Sequence, residues 1–301
     1  MKKTILLTNR YDGIVLDMLN KAIDDRFILL MPEDVTKQEL VKAAEYGDYF
    51  LSSGRLKIDE DVLRNSKKLK MIQRTGVGID TIDLPLLKKY HIPLYVNRGV
   101  NSSSVAEYAV MLILSLLKKR YDITPQMKEG KWDKQKNGIQ THELAEKTVG
   151  IIGMGNIGRK VAMMLNGFGC RIIYYDQRRL SEKEENDLHI TFTEPELLYR
   201  ISDIITLHCA YDPSGTYLIK EEELALMKNG VFLVNTARGK LISEKALIAA
   251  LNNGKVAACA LDTFEQEPLP AEHEFRKMNN VILSPCSPWS HSPPVLVPDG
   301  S

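Results

Sequence analysis

Thr148-Val149-Gly150-Ile151-Ile152-Gly153-Met154-Gly155-Asn156-Ile157-Gly158 decides the fold of this chain, read together with Arg171-Ile172-Ile173-Tyr174-Tyr175-Asp176 further on. A short apolar run closed by glycine reads as a buried strand, and the G-x-G-x-x-G after it turns that strand into a helix. The first glycine permits the tight turn, the second lets backbone approach a pyrophosphate, and the third lets helix pack closely on strand. Free N–H groups at the start of the helix, around Asn156 and Ile157, then face the anion. The second apolar run is the next strand, and Asp176 closes it about 20 residues on, where a carboxylate accepts hydrogen bonds from an adenosine ribose. Strand, glycine turn, helix, strand and acid together read as a dinucleotide-binding βαβ unit.

About 145 residues precede this unit, enough for a second domain of ordinary size. Lys and Arg number 40 against 39 for Asp and Glu, a balance that argues against a nucleic-acid surface or a face drawn to membranes. The expected partner is a small molecule. Cys170, Cys209, Cys259 and Cys286 are widely spaced with no C-x-x-C pair, which suits reduced thiols in a cytoplasmic protein and predicts no metal cluster. The opening Met1-Lys2-Lys3-Thr4-Ile5-Leu6-Leu7 is too short for a signal peptide and reads as a first strand. The most apolar segment, 105–117, is interrupted by Glu107 and Ser115 and is too short to cross a bilayer, so it reads as a buried helix.

Ahead of the glycine motif, strand-like runs at 4–8, 27–31, 49–53, 71–74 and 93–97 alternate with helical spacing at 15–22, 37–44, 59–65 and 84–89. Alternation of this kind predicts a doubly wound parallel sheet covered on both faces, with ligands beyond the carboxyl ends of its strands. Two of those ends stand out, Ser52-Ser53-Gly54-Arg55 and Thr75-Gly76-Val77-Gly78-Ile79-Asp80. The second is either a concave anion site built from backbone amides or an ordinary strand-to-helix turn, and spacing leaves both readings open. Asn101-Ser102-Ser103-Ser104 supplies N-cap candidates for a helix beginning near Val105. The polar stretch 126–142 reads as an exposed connection before the nucleotide fold.

Several ordered segments together resemble the D-isomer-specific 2-hydroxyacid dehydrogenases, including their phosphoglycerate dehydrogenase branch. They are Gly76-Val77-Gly78-Ile79-Asp80, Asn101-Ser102-Ser103-Ser104-Val105-Ala106-Glu107, the glycine motif, Ser202-Asp203-Ile204-Ile205-Thr206-Leu207-His208, Asn235-Thr236-Ala237-Arg238-Gly239, and Ala260-Leu261-Asp262-Thr263-Phe264-Glu265-Gln266-Glu267-Pro268. The resemblance implies two doubly wound domains: a flavodoxin-like substrate domain, 1–99, and an inserted NAD-binding Rossmann domain, 100–286. The tail 287–301 would return to the first. It further implies a homodimer acting on a small 2-oxo or 2-hydroxy acid in a cleft between the domains.

By the same resemblance Arg238 grips the 2-oxo acid, which suits a planar guanidinium able to hold a carboxylate and polarise the adjacent carbonyl. Backbone amides at Val77 and Gly78 hold the substrate carboxylate, Asp262 the nicotinamide carboxamide, while Thr236 and Ala237 line the nicotinamide. Glu267 matches the acid that orients a catalytic histidine, although Glu265-Gln266-Glu267-Pro268 also reads as a solvated loop. His208 stands either beside the cofactor or as a structural side chain. Asp176 favours NAD over NADP by repelling a 2′-phosphate, with Arg178 and Arg179 close behind it as an opposing influence.

One departure is chemically serious. Family members carry the proton-transferring histidine directly after a T-P or S-P pair, and here Ser284-Pro285 is followed by Cys286. An imidazolium of pKa about 6.5 protonates a nascent alkoxide readily at neutral pH, whereas a thiol of pKa about 8.5 starts neutral. His291 is the nearby substitute, constrained by prolines at 285, 288, 293 and 294. The proline-rich 292–301 also stands where the family continues into a long helix over the first domain. A truncated C-terminus is therefore expected, leaving an apolar face of that domain exposed. Two functions stay open: an NAD-dependent dehydrogenase impaired at Cys286, or a catalytically weak NAD-binding sensor, interaction protein or truncated gene product.

Overall fold

The structure, a computed structural model, describes residues 2–53, 56–76, 78–212 and 215–285. The chain divides into two units, one up to Val100 and one from Asn101 onward.

In the first unit the strands are β1 (Lys3–Leu7), β2 (Phe27–Leu30), β3 (Tyr49–Ser52), β4 (Met71–Arg74) and β5 (Leu94–Val96). All are parallel, in the order β2-β1-β3-β4-β5, the flavodoxin-like arrangement. Three of the expected helices begin on side chains that cap their free N–H groups: Thr36 for Lys37–Ala44, Asp59 for Glu60–Asn65 and Asp83 for Leu84–Lys89. Those helices bury Leu40, Val62 and Leu87 against Leu6, Phe50 and Ile72 of the sheet. Each such side chain contributes about 1.5–3 kcal/mol on burial. Coverage is uneven, however. Helix Gly13–Ala22 buries none of its residues, and Ile14 and Met18 on it are 76% and 44% exposed.

The second unit carries β6 (Thr148–Ile152), β7 (Arg171–Tyr175), β8 (Thr191–Phe192), β9 (Ile204–Leu207), β10 (Val231–Asn235), β11 (Val256–Leu261) and β12 (Val281–Leu283). Their order is β12-β11-β10-β9-β6-β7-β8, all parallel. Counted from β6, this is the dinucleotide-binding order with a further strand at one edge. The chain winds from β6 outward to β8 and then crosses back to β9 on the other side of β6. Loops after β6 and β9 therefore diverge at a topological switch point, the crevice where such sheets bind ligands. Helix Ser102–Leu117 covers one face, packing Ala106, Ala109 and Ile113 with Val161, Ala162 and Leu165 of helix Asn156–Asn166.

Some local expectations need correction. The long helix begins at Ser102 rather than near Val105, and Asn101 in the cap position makes no side-chain capping bond. The segment 126–142 is not a plain connection, because helices Arg120–Lys128 and Lys134–Ile139 occupy much of it. Lys119 in the left-handed region ends the preceding helix and restarts the chain. Neither new helix has a buried residue, so there was no apolar stripe for a periodic reading to find. No described helix is long and apolar enough to cross a membrane.

Candidate active site

In the second unit the loops after β6, β9, β10 and β11 leave the carboxyl ends of neighbouring parallel strands. The loop after β6 depends on two glycines for different reasons. Gly153 has φ +98°, and a Cβ there would lie 2.4 Å from the Cys209 nitrogen. The loops after β6 and β9 thus touch backbone to backbone. A Cβ on Gly158 would lie 2.1 Å from the Gly153 oxygen, so only glycine lets the helix start this close to the strand. Gly155 differs: a Cβ there meets nothing within 4 Å. The space beside it is open, as a cradle for a pyrophosphate requires. Helix Asn156–Asn166 has no side-chain cap and no acid in its first turn, leaving its N–H groups for an anion.

Asp176 stands directly beside this loop. Its Oδ2 accepts from the Met154 N–H at 2.6 Å and its Oδ1 from the Arg178 N–H at 3.0 Å. The carboxylate therefore ties the end of β7 to the glycine turn. After β9, half-buried His208 has Nε2 2.9 Å from the Thr206 Oγ1, while its Nδ1 is enclosed without a partner. Burial pushes its pKa down to about 3, so the ring is neutral. Burial likewise pushes the neighbouring Cys209 thiol up to about 11.

The turn after β10 is built by a residue that pattern reading missed. Asn235, 1% exposed, donates from Nδ2 to the Arg238 carbonyl at 2.8 Å and accepts from the Ala237 N–H at 3.0 Å. This side chain fixes the middle and the far end of the Thr236–Arg238 turn, the way asparagine commonly closes local turns. Half-buried Arg238 donates from Nη1 to the Ala237 carbonyl at 2.8 Å. Next to it, a Cβ on Gly239 would sit 1.9 Å from the Phe264 carbonyl carbon. The turn carrying Arg238 and the loop carrying Glu267 are therefore in backbone contact.

A reciprocal pair of carboxylates locks those two loops. Glu265 Oε1 accepts from the Glu244 N–H at 2.8 Å, and Glu244 Oε1 accepts from the Glu265 N–H at 2.9 Å. Tyr217 donates its hydroxyl to Glu265 Oε2 at 3.0 Å, and His273 Nε2 lies 3.1 Å from Glu244 Oε2. Of the acids in this loop, Glu265 is the one built into the scaffold. Glu267 is exposed, and its Oε1 accepts from the Phe264 N–H at 3.0 Å. Asp262, 1% exposed, accepts from the Ser284 hydroxyl at 2.6 Å. Thr236 Oγ1 and Thr263 Oγ1, at the ends of β10 and β11, are buried with no hydrogen-bond partner. Unpaired buried polar atoms are uncommon in a finished core, and these two follow the carboxyl ends of paired strands.

The first unit has its own polar strand ends. Arg74, 6% exposed, donates from Nε to the Gly78 carbonyl at 2.7 Å and from Nη1 to the Ser52 Oγ at 3.2 Å. This buried arginine, also missed in the sequence, shapes the turn in which Gly78 sits. Asn9 Oδ1 and Ser53 Oγ nearby in the chain's strand ends are buried without partners. Val77, Cys286 and His291 lie outside the described residues. Among the described residues, no cluster of metal-ligating side chains occurs.

Known proteins fit this picture. Residues 110–287 match the family model of the D-isomer specific 2-hydroxyacid dehydrogenase NAD binding domain. The chain is 38% identical to a hydroxypyruvate reductase of Thermotoga maritima over 84% of its own length and 81% of that protein's. It is 37% identical to a glyoxylate reductase of Thermofilum pendens, over 83% and 74%. The crystal structure of a D-mandelate dehydrogenase from Rhodotorula graminis superimposes with a TM-score of 0.81 at 26% identity, covering 95% of this chain and 88% of that one. The glycine cradle, the acid closing β7 and these matches together place the chain in the family of NAD-dependent, D-isomer specific 2-hydroxyacid dehydrogenases.

Proposed function

We propose that the protein interconverts a small 2-oxo acid of the glyoxylate and hydroxypyruvate class and its D-2-hydroxy acid, with turnover lowered by Cys286. The observation that carries this reading is the Asn235-built turn, which holds Arg238 at the carboxyl edge of the sheet beside the loop bearing Asp262 and Glu267. The substrate class comes from the two reductases that the chain resembles across most of its length.

NADH supplies hydride to the carbonyl carbon when it is bound. The chain's own residues do the rest. Gly153, Gly155, Asn156, Ile157 and Gly158 hold the pyrophosphate, Asp176 the ribose hydroxyls, and Asp262 the carboxamide, with Thr236 and Ala237 lining the ring and His208 beside it as a neutral group. Arg238 binds the 2-oxo acid and stabilises negative charge developing on its carbonyl oxygen. Backbone amides of Val77 and Gly78 receive the carboxylate. The proton that completes reduction comes from position 286, where a neutral thiol replaces the family's imidazolium, or from His291. A homodimer is proposed through the second unit, where Met111, Met163, Phe168, Trp132 and Ile139 are exposed. A cytoplasmic setting is in keeping with the free thiols Cys170, Cys209 and Cys259.

One observation favours the second reading, an NAD-binding protein with little turnover. Ser284-Pro285 is followed by Cys286, where the family carries its proton-transferring histidine. NADH oxidation in the presence of glyoxylate or hydroxypyruvate separates the two. A dehydrogenase shows substrate-dependent oxidation, and a binding module retains NADH affinity with none.

A further inference from the structure

Asp176 is followed by Gln177-Arg178-Arg179, a sequence that pulls in two directions. A carboxylate at the end of this strand favours ribose hydroxyls, while arginines just beyond it are what a 2′-phosphate needs. The structure separates the two arginines. Arg178 is exposed beside Asp176. Arg179 is held in a fork: Nε donates to Glu185 Oε1 at 2.8 Å and Nη2 to Glu185 Oε2 at 3.0 Å. Its guanidinium lies over the Phe192 ring, 5.1 Å from the centroid.

Glu185 is itself held from behind. It is 8% exposed, and its Oε1 also accepts the Tyr174 hydroxyl at 2.7 Å. The Tyr174 oxygen accepts in turn from the Leu180 N–H at 2.9 Å, which fixes the chain just after Arg179. A bidentate guanidinium–carboxylate pair with one partner buried is a geometrically specific contact, unlike a loose surface pair. The Arg179 hydrogen bonds hold the Glu185 carboxyl below its ordinary range, and the same fork raises the arginine. The preceding residue repeats the device. Glu184 caps helix Glu182–Leu188 through Ser181 and accepts from Arg159 Nη2 at 2.8 Å.

We propose that Glu185 is a positioning residue for cofactor choice: by holding Arg179 against Phe192 it keeps a guanidinium away from the 2′ position of the adenosine ribose, so that Asp176 decides for NAD. The proposal rests on the assignment of Asp176 to the ribose hydroxyls. It assigns the second helix after the glycine turn a part in specificity, although none of its residues carries a cofactor motif.

The test is a fluorescence titration of the full chain with NADH and with NADPH, in parallel for parent, Glu185→Gln, Arg179→Ala, the double variant and Asp176→Ala. Glu185→Gln keeps the size and can still pair with Tyr174 but releases the fork. It should tighten NADPH binding about tenfold, the scale of one charge-assisted contact to a phosphate, while NADH binding changes less than twofold. The double variant should lose that gain, and Arg179→Ala alone should leave both affinities near parent values. Glu185→Asp, which shortens the reach and breaks the fork, gives the same comparison if Glu185→Gln does not fold. An unchanged ratio of the two affinities in the folded Glu185 variant overturns the proposal, as does a gain that survives Arg179→Ala. If Asp176→Ala leaves the ratio untouched, the ribose assignment itself fails.

Discussion

Gly155 and Gly158 are three residues apart in one motif, and the structure predicts that alanine at each fails in a different way. At Gly158 a new Cβ would lie 2.1 Å from the Gly153 oxygen, 3.1 Å from its carbonyl carbon and 3.5 Å from Ile151 Cγ2. Backbone cannot step aside as a flexible side chain can. The helix must therefore move off the strand by more than 1 Å, an overpacking cost of about 1–3 kcal/mol. For a unit the size of the second one that lowers the melting temperature by roughly 2–12 °C. Displacing the helix also moves the N–H groups meant for the pyrophosphate, so NADH affinity should fall about tenfold or more. At Gly155 the same methyl meets nothing within 4 Å, and φ is −77°, so alanine is sterically free there. Weaker capping and a less flexible unfolded chain act in opposite directions, each by under about 1 kcal/mol. Gly155→Ala should melt within a few degrees of the parent yet bind NADH roughly tenfold or more weakly, because its methyl occupies the cradle. Thermal melts and NADH titration of both variants decide the matter. Parent-like NADH affinity in Gly155→Ala, or parent-like stability in Gly158→Ala, would show that the space around each glycine does not set its role.

Other outcomes follow from the same geometry. Arg238→Lys keeps the charge but loses the planar fork, so substrate-dependent turnover should drop strongly while NADH binding stays near the parent value; unchanged turnover would make the arginine structural. His208, whose pKa burial lowers from about 6.5 to about 3, makes the fold lose stability as pH drops from about 6.5 toward 3, since the unfolded chain takes up the proton first. Melting curves of His208→Gln across that range should be flatter than the parent's, and parallel curves would contradict the burial assigned to this ring. Asn235→Ala, which removes both anchors of the turn bearing Arg238, should lower turnover well beyond its effect on NADH affinity, as steady-state kinetics and titration can separate. Cys286→His should raise 2-oxo acid reduction by about 10²–10⁴-fold, the usual contribution of a well-matched general acid. No gain from it, together with loss of the parent rate in His291→Ala, would assign the proton to His291.

What could be read from the sequence was what local chemistry determines. β6 and β7 match their apolar runs because central parallel strands are buried on both faces and show as unbroken hydrophobic stretches. Gly158 was legible because its constraint, the Gly153 oxygen, lies in the same turn, and Gly153 because the turn needs its positive φ; the Cys209 backbone that also crowds Gly153 was not. Asn235 was not, since an asparagine in a strand reads as an ordinary polar residue until the turn it closes is seen. Arg74 and the Glu244–Glu265 pair were hidden for a related reason. Their partners stand on other elements, Ser52 22 residues from Arg74 and Glu265 21 residues from Glu244. Arg179 illustrates the limit most clearly. Sequence placed it beside Asp176 as an opposing charge, and only the position of Glu185 on the following helix shows where that charge is spent.

As proposed, this chain is a working, if slowed, reductase of small 2-oxo acids. That activity is tested most directly by following NADH absorbance with the purified protein and its Cys286→His variant in the presence of glyoxylate or hydroxypyruvate. The parent should show slow, substrate-dependent NADH oxidation and the variant a much faster rate. Tight NADH binding with no oxidation by either protein, on either acid, would contradict the proposal.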